Sequence, residues 1–379
     1  MIKVYRYRLY PTKKQSNSLM IQLDGHRFLY NQALAQRKEV YEQTNKGVGY
    51  TTQATGLLPI LKKENKSIAL CNYSSLQQTL RRLDKSFRAF FRRIKSCEKA
   101  GYPRFKSADR FNTIAYATIG DGCQIKDNRL YLQNVGCIKV KWHRTIAGQV
   151  KTISVTRRND RWYASFIVET EPMLLPKTGK DVGIDVGLNA FISTSDGRQV
   201  YSPEYLRVAE RKLARAQRRL SRRKKGSNRR RKARVLVAKH HERIANQRLN
   251  FCHKIAHSLV QNYDGFAVEY LNIKGMVKNR HLAKSISDTS WGMFLTILKS
   301  KAENAGRWYQ EVIPNGTSQE CSQCGSIVKK SLAVRVHNCP YCGLSLDRDI
   351  NAALNILQKA WIEPSWRGGV VMPLVEARS

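Results

Sequence analysis

One stretch near the C-terminal end restricts the fold more than any other. From Thr317 the chain reads TSQECSQCG, then a basic loop, then HNCPYCG, then LDRDINAALNIL. Cys321 and Cys324 make one C-x2-C pair, Cys339 and Cys342 a second, with 14 residues between them. Four thiolates at this spacing are the donor set of one tetrahedral Zn2+, and a site filled by four cysteines keeps no open position for catalysis, so the ion is structural. Residues 317–345 are therefore expected to form a zinc ribbon. His337 is a superfluous fifth donor and is expected at the surface. Asp349 heads the helix that follows, whose apolar face reads Ile350, Ala353, Leu354 and Leu357, while Ala352 and Ala353 leave room beside the carboxylate. A ribbon running straight into a helix of this kind reads as an insertion in a larger domain, with Asp349 as that domain's last metal ligand.

Charge sets the partner. Of 379 residues, 68 are Lys or Arg and 28 are Asp or Glu, a formal net charge of +40. Such a charge repels itself unless a polyanion neutralises it, which points to nucleic acid. The 42 % hydrophobic content is that of a folded chain. No run approaches the roughly 20 apolar residues of a membrane span, and the opening MIKVYRYRLYP lacks the apolar core of a signal peptide, so no membrane partner and a cytoplasmic location are expected. Cys71, Cys97, Cys123, Cys137 and Cys252 are scattered and odd in number, which argues against a disulfide framework and for buried small residues.

Residues 1–10 alternate as a strand that Pro11 stops. Thr12 and Gln15 have capping-box spacing, announcing a helix with Leu19, Leu23, Tyr30, Ala33, Leu34 and Tyr41 on one face, which Gly25 threatens to interrupt. A second helix over about 75–94 places Leu76, Leu80, Leu83, Phe87, Phe90, Phe91 and Ile94 on a core face. Its arginines, Arg81, Arg88 and Arg92 among them, are candidates for phosphate contact. Residues 109–176 carry short strands and turn pairs, ending in a hairpin about Asn159-Asp160, and read as a small β-barrel or sheet whose first strand is the N-terminal one. The expected divisions are strand 1–10, a helical region 11–108, the rest of the barrel 109–176, an α/β domain 177–316, the ribbon, its last helix 346–358 and a flexible tail 359–379. Within the α/β domain, a basic helical hairpin spans about 204–260. From Arg211 to Arg234 the chain has fourteen Lys or Arg and no acid, over a seam of Leu206, Leu213 and Leu220 broken by GSN at 226–228. A solvated face is the usual reading of such a run. So dense a run of one sign favours nucleic-acid contact, with Arg215, Arg218, Arg219, Arg222 and Arg223 as candidates.

Three acids are singled out by context. Asp185 ends an apolar strand inside GIDVG, Glu269 ends the apolar run GFAVE, and Asp349 opens its helix. A carboxylate ending a buried strand is unfavourable unless a cation meets it. Taken singly, Asp185 could be a turn residue, Glu269 a partner of Lys274, and Asp349 a helix N-terminal acid facing the dipole. Taken together, strand-acid, strand-acid, helix-acid is the layout of an RNase H-like nuclease, in which three hard oxygen donors converge on two Mg2+ ions.

At these residues the sequence resembles the TnpB (OrfB) family of transposon-encoded, RNA-guided DNA nucleases, small relatives of the type V CRISPR effectors. RLYPTKKQ, the Tyr30-Asn31 pair and GYPRFKS carry the resemblance in the N-terminal half. GIDVGL, IANQRLNFCHK, VEYLNIKGM, TSQECSQCG and DRDINAALNI carry it in the C-terminal half. The resemblance implies an α/β multidomain protein: an RNase H-like (RuvC) nuclease domain with an inserted zinc ribbon, a wedge-like β-barrel and a helical recognition domain. It implies a catalytic triad of Asp185, Glu269 and Asp349, the family motif D-x-N-A selecting Asp349 over Asp347. It also implies a guide RNA from the transposon end, double-stranded target DNA beside a short transposon-adjacent motif, and basic helices lining the heteroduplex channel. A monomer is expected, a dimer being the alternative. A non-cleaving RNA-guided repressor is the competing reading, disfavoured by the complete triad. A transposase of RNase H fold is a third, disfavoured because such enzymes order their acids Asp, Asp, Glu.

Overall fold

The computed structural model describes residues 1–314, 316–331 and 334–362, the side chain of Lys274 excepted. The chain divides into two compact units, Met1–Glu171 and Pro172–Ser379.

In the first unit, β1 (Ile2–Tyr10) buries Tyr5, Tyr7 and Leu9 and leaves the alternate residues outward. The capping box forms: Thr12 Oγ1 accepts from Gln15 N at 3.3 Å and Thr12 N donates to Gln15 Oε1 at 3.0 Å. It opens α1 (Lys13–Thr44), which runs unbroken through Gly25. Gly25 is a packing residue, since a Cβ there would stand 2.7 Å from the Ser67 carbonyl oxygen. Short helices α2 (Tyr50–Thr52), α3 (Leu58–Glu64) and α4 (Lys66–Ala69) lead to α5 (Tyr73–Lys95), capped by Asn72 Oδ1 on Ser75 N. Leu76, Leu80, Leu83 and Phe87 of α5 are buried as expected. Phe91 and Ile94 are not: they are 55 % and 50 % exposed, because the last turns of α5 run beyond the core and meet only Tyr102 and one another's rings.

The strands β2 (Thr113–Tyr116), β3 (Cys123–Lys126), β4 (Arg129–Leu132), β5 (Gly136–Lys141), β6 (Gln149–Arg158) and β7 (Arg161–Glu169) join β1 in one sheet of order β2-β6-β7-β1-β5-β4-β3. The N-terminal strand is central, pairing antiparallel with β7 and β5 (Tyr5 opposite Phe166, Leu9 opposite Val140). The β6–β7 turn has φ of 49° at Asn159 and 59° at Asp160, the left-handed pair of a type I′ hairpin. Among the described residues no ladder joins the edge strands β2 and β3, so of the expected barrel or sheet the strands here form an open sheet.

The second unit is built on a five-stranded sheet of order β10-β9-β8-β11-β12: β8 (Asp181–Asp185), β9 (Ala190–Thr194), β10 (Gln199–Tyr201), β11 (Gly265–Glu269) and β12 (Trp308–Val312). In sequence rank this is 3-2-1-4-5, with the first, fourth and fifth strands parallel and the second antiparallel to the first. Phe191, Phe266, Phe294, Leu259 and Leu298 fill one face. The basic hairpin is α6 (Tyr205–Ser221) and α7 (Asn228–Asn262); Leu213 is buried in its seam. Beyond β11 come α8 (Ile273–Met276), α9 (Ala283–Thr289) and α10 (Trp291–Ala305), then the ribbon strands β13 (Val336–Asn338) and β14 (Ser345–Asp347), and α11 (Arg348–Ile362). Residues 359–362, expected in the tail, continue this helix; the rest of the expected tail lies outside the described residues.

Candidate metal centre and nucleic-acid surface

Register puts the first two acids side by side. β8 and β11 pair in parallel with Ile184 opposite Val268, so Asp185 and Glu269, one residue on in each strand, end neighbouring strands at the same edge. The carboxyl ends of parallel strands are where open α/β sheets bind ligands. The third acid is delivered by α11, which packs across β8 because Gly183 has no side chain: a Cβ there would lie 2.0 Å from the Ala353 carbonyl oxygen. One turn earlier in the helix, Asp349 is 7 % exposed, and its Oδ2 lies 3.8 Å from where a Cβ on Gly187 would stand. Asp349 therefore belongs to the buried stripe with Ala352, Ala353, Ile356, Leu357 and Ala360 and not to its margin; Ile350 and Leu354, expected inside, are only half-buried.

Electrostatics ties the three together. Burial pushes the Asp185 carboxyl up to about 8, the nearby Glu269 and Asp349 carboxylates add to the shift, and Arg348 opposes it. Burial raises Glu269 to about 6, against the pull of Lys359. Carboxylate oxygens are the donors that hard divalent cations take, and a cation beside Asp185 would favour its charged form. Of the structural alternatives for these acids, the helix N-terminal one stands, since Asp349 lies in the first turn of α11. Asp347 takes the capping role, its Oδ1 accepting from the backbone N–H of Asp349 at 2.9 Å and Ile350 at 3.2 Å, which leaves the Asp349 carboxylate free of it. Asp185 lies in β8 and not in a turn. The expected pairing of Glu269 with Lys274 lies outside the described residues.

The ribbon fits Zn2+. Cys321, Cys324, Cys339 and Cys342 bring their four Sγ atoms within 4.8 Å of one another, with 3.6 Å for both the 321–342 and 324–339 pairs. Zn–S bonds of about 2.3 Å in a tetrahedron require sulfur separations of about 3.8 Å. The two knuckles match. Gly325 N donates to Cys321 O at 2.9 Å and Gly343 N to Cys339 O at 3.0 Å, each glycine at φ above +70°. Hydrogen bonds from Ser326 lower the Cys324 thiol to about 6, favouring the thiolate a metal needs. His337 is the reverse of expectation: it is fully buried, with Nδ1 against Lys330 Nζ and Nε2 unpartnered. Its alternating position in β13 turns it inward under the ribbon. Of the scattered cysteines, Cys71, Cys123 and Cys252 are buried as expected, whereas Cys97 and Cys137 are exposed.

The candidate phosphate contacts fall on both units. In the first, Arg81 is exposed and stacked on Tyr50, Arg92 is exposed, and Arg88 is exposed but paired with Asp84 at 2.8 Å. In the second, Arg215, Arg218, Arg219 and Arg222 are exposed on α6 and its end, and Arg223 is half-buried. Arg219 and Arg223 line a hollow of about 260 Å³ with Arg229 and Lys232 of α7. Arg230 stitches this tip, donating to the Leu220 and Arg223 carbonyls at 3.0 and 2.8 Å, and Ser227 caps α7. Arg229 and Lys232 escaped selection from sequence, although they stand in the same charge run. What singles them out is the α6–α7 crossing, which no local pattern reports. Also missed were Arg348, Asn351 and Asn355 in α11; the motif D-x-N-A was an available signal for Asn351 alone.

A mixed 3-2-1-4-5 sheet with acids on its first and fourth strands and on its last helix, interrupted by a four-cysteine ribbon, has the layout of an RNase H-like fold. Comparison with known proteins narrows the class. Residues 165–280 match the family model described as "Probable transposase" of the OrfB type, residues 291–356 the Cas12f1-like TNB domain, and residues 1–46 a helix-turn-helix domain of the OrfB type. Here residues 1–46 hold β1 and the single helix α1. A Streptomyces pristinaespiralis protein bearing the name RNA-guided DNA endonuclease as a candidate assignment is 33 % identical over 366 residues, 94 % of this chain and 88 % of its own. The Escherichia coli K12 protein InsQ, named likewise, is 28 % identical over 94 % of this chain and 92 % of its own. In fold, the chain is similar to Cas12f1 solved as a complex with guide RNA and target DNA (TM-score 0.60, 14 % identity, 94 % of this chain and 98 % of that one). It is also similar to the mini-RNA-guided endonuclease Cas-phi3 (TM-score 0.54, 10 % identity, 95 % and 92 %). The chain belongs to the TnpB (OrfB) family, relatives of the type V CRISPR effectors.

Proposed function

We propose that the chain is an RNA-guided, Mg2+-dependent endonuclease that cuts double-stranded DNA beside a short transposon-adjacent motif, directed by a guide RNA from the transposon end. The observation that carries the reading is that Asp185, Glu269 and Asp349 are brought to one edge of the sheet, where burial and the two neighbouring carboxylates raise the Asp185 carboxyl. These three carboxylates would hold two magnesium ions, which when bound supply Lewis-acid stabilisation of the leaving oxygen and an activated water. Cys321, Cys324, Cys339 and Cys342 would hold one structural zinc. The net charge of +40 and the cationic hollow on α6 and α7 suit a backbone-gripping role, with sequence read by guide–target pairing. The N-terminal sheet and the α1–α5 helices would act as wedge and recognition domain, and the protein would work as a monomer. No helix among the described residues is long and apolar enough to cross a membrane.

The reading is tested by purifying the protein with its RNA, sequencing that RNA, and assaying cleavage of motif-bearing DNA. Mg2+-dependent cutting by the wild type, lost in Asp185→Ala with binding retained, is the expected result. Cutting that survives loss of any one triad acid would sink the assignment. Binding without cutting by the wild type would instead favour the non-cleaving repressor.

A further inference from the structure

The polar residues of α11 that do not belong to the carboxylate cluster all reach the ribbon. Asn351 is fully buried, and its amide spans the two peptide groups that flank Cys321: Nδ2 donates to Glu320 O at 2.7 Å and Oδ1 accepts from Ser322 N at 3.0 Å. Asn355, one turn on and 2 % exposed, donates to Thr317 O at 2.8 Å and Glu320 O at 2.7 Å. At the start of the helix Arg348 grips the other side of the ribbon. Its backbone N donates to Arg335 O at 2.7 Å and its Nη1 to Val334 O at 3.3 Å. The same guanidinium donates through Nε and Nη2 to Oδ1 of Asp349 at 3.2 and 3.0 Å, leaving Oδ2 on the Gly187 side. Asp349 thus stands between two residues, one before it and one two after it, that are each bonded to ribbon backbone. A ribbon without its metal has no other covalent tie between its two knuckles, since all four cysteines are free thiols.

We propose that Asn351 and Arg348 are positioning residues that lock Asp349 to the ribbon, so that zinc occupancy and divalent-ion binding at the carboxylate cluster are thermodynamically coupled. This rests on the nuclease reading for the identity of the second ion. It goes beyond it in giving the ribbon a share in the geometry of the cluster. If two sites are coupled, each ligand strengthens the other by the same factor. Magnesium must then tighten the binding of zinc, a readout independent of cutting.

The test uses the full chain with its copurified RNA and measures the equilibrium partition of zinc between the protein and a zinc-selective chromogenic chelator, with and without saturating Mg2+. In the wild type, Mg2+ is expected to tighten zinc binding roughly 5-fold or more, the lower end of ordinary coupling. Asp349→Asn, which leaves the Asn351 contacts in place, is expected to lose the Mg2+ effect on zinc affinity. Asn351→Ala is expected to bind zinc more weakly without Mg2+, to lose the Mg2+ effect, and to lower kcat more than it alters KM; Asn351→Asp, which keeps the acceptor for Ser322 N, should recover part of each. An identical zinc affinity with and without Mg2+, in a wild type whose cutting requires Mg2+, would overturn the coupling and leave the nuclease reading standing. Tightened zinc binding by a chain that cuts nothing would do the opposite.

Discussion

Gly183 and Ala353 meet backbone to backbone: a Cβ on the glycine would stand 2.0 Å from the alanine's carbonyl oxygen and 2.9 Å from the Leu357 Cβ. That approach sets the depth of α11 over β8 and hence the reach of Asp349 toward Asp185. Gly183→Ala should push the helix outward. Overpacking of this kind costs about 1–3 kcal/mol, and a shift of about 1 Å in a catalytic group can cost about 100-fold in rate. The expected outcome is a lower Tm and a fall in cleavage larger than the stability loss explains. Thermal denaturation and single-turnover cleavage on the same preparation check it; unchanged cleavage would mean Asp349 is not held by this contact.

The pH dependence of the metal-free protein has a definite sign. Asp185 titrates at about 8 and Glu269 at about 6, both above their ordinary values, so the folded chain keeps protons the unfolded chain releases. Stability then falls as pH rises from about 4 through about 8. Asp185→Asn removes the larger part of this penalty, so its Tm should exceed that of the wild type by a margin that grows from pH 5 to pH 8, measured in a chelator of divalent ions that spares zinc. Added Mg2+ should raise the wild-type Tm more at pH 8 than at pH 6, since binding must displace those protons. A margin that does not change with pH would show that folding does not raise the Asp185 carboxyl.

How much of this could be read from the chain differs from residue to residue. The ribbon ligands were legible because a metal fixes their spacing along the sequence. Asp185 and Glu269 were legible because an acid ending an apolar strand is conspicuous, although their adjacency depends on the parallel register of β8 and β11, which sequence does not give. Asp349 was chosen over Asp347 only through a family motif; the capping bonds of Asp347 supply the physical reason. Burial of His337 and exposure of Phe91 and Ile94 were misjudged for one cause: periodicity tells which side of an element a residue takes, not whether another element covers that side. The inward turn of Asn351 escaped because a buried amide has no signature until the peptide groups it satisfies are known.

The cationic hollow makes a salt prediction. Arg219, Arg223, Arg229 and Lys232 converge there, and none of them makes an ion pair within the described residues. If phosphates fill it, converting the four to Gln should flatten the slope of log affinity against log salt by up to about 3.6 for duplex, at about 0.9 per phosphate. Replacing Arg88 should change it less, because Asp84 already neutralises that guanidinium. Nucleic-acid binding measured over a salt series decides; an unchanged slope in the quadruple variant would make the hairpin tip a solvated surface.

Asp347 and Asp349 are two residues apart; the structure makes Asp347 the helix cap and the proposed function makes Asp349 a metal ligand, roles that substitution can separate. Asp347 accepts two backbone N–H groups at the head of α11, so Asp347→Ala should cost about 1 kcal/mol, the usual price of a lost helix cap. In a unit of this size that is a fall of about 2–4 °C in Tm. Cleavage should persist at a reduced rate, because the carboxylate cluster keeps all its members. Asp349→Asn should do the reverse. It breaks the Arg348–Asp349 ion pair but removes one of the carboxylates that crowd Asp185, so any Tm loss in the metal-free protein should shrink as pH rises. Cleavage should nevertheless be abolished, because an amide is a poor partner for a hard cation. Melting curves and cleavage assays on the two variants side by side give the answer. If Asp347→Ala abolished cutting at unchanged Tm while Asp349→Asn retained it, the assignment of cap and ligand would have to be exchanged.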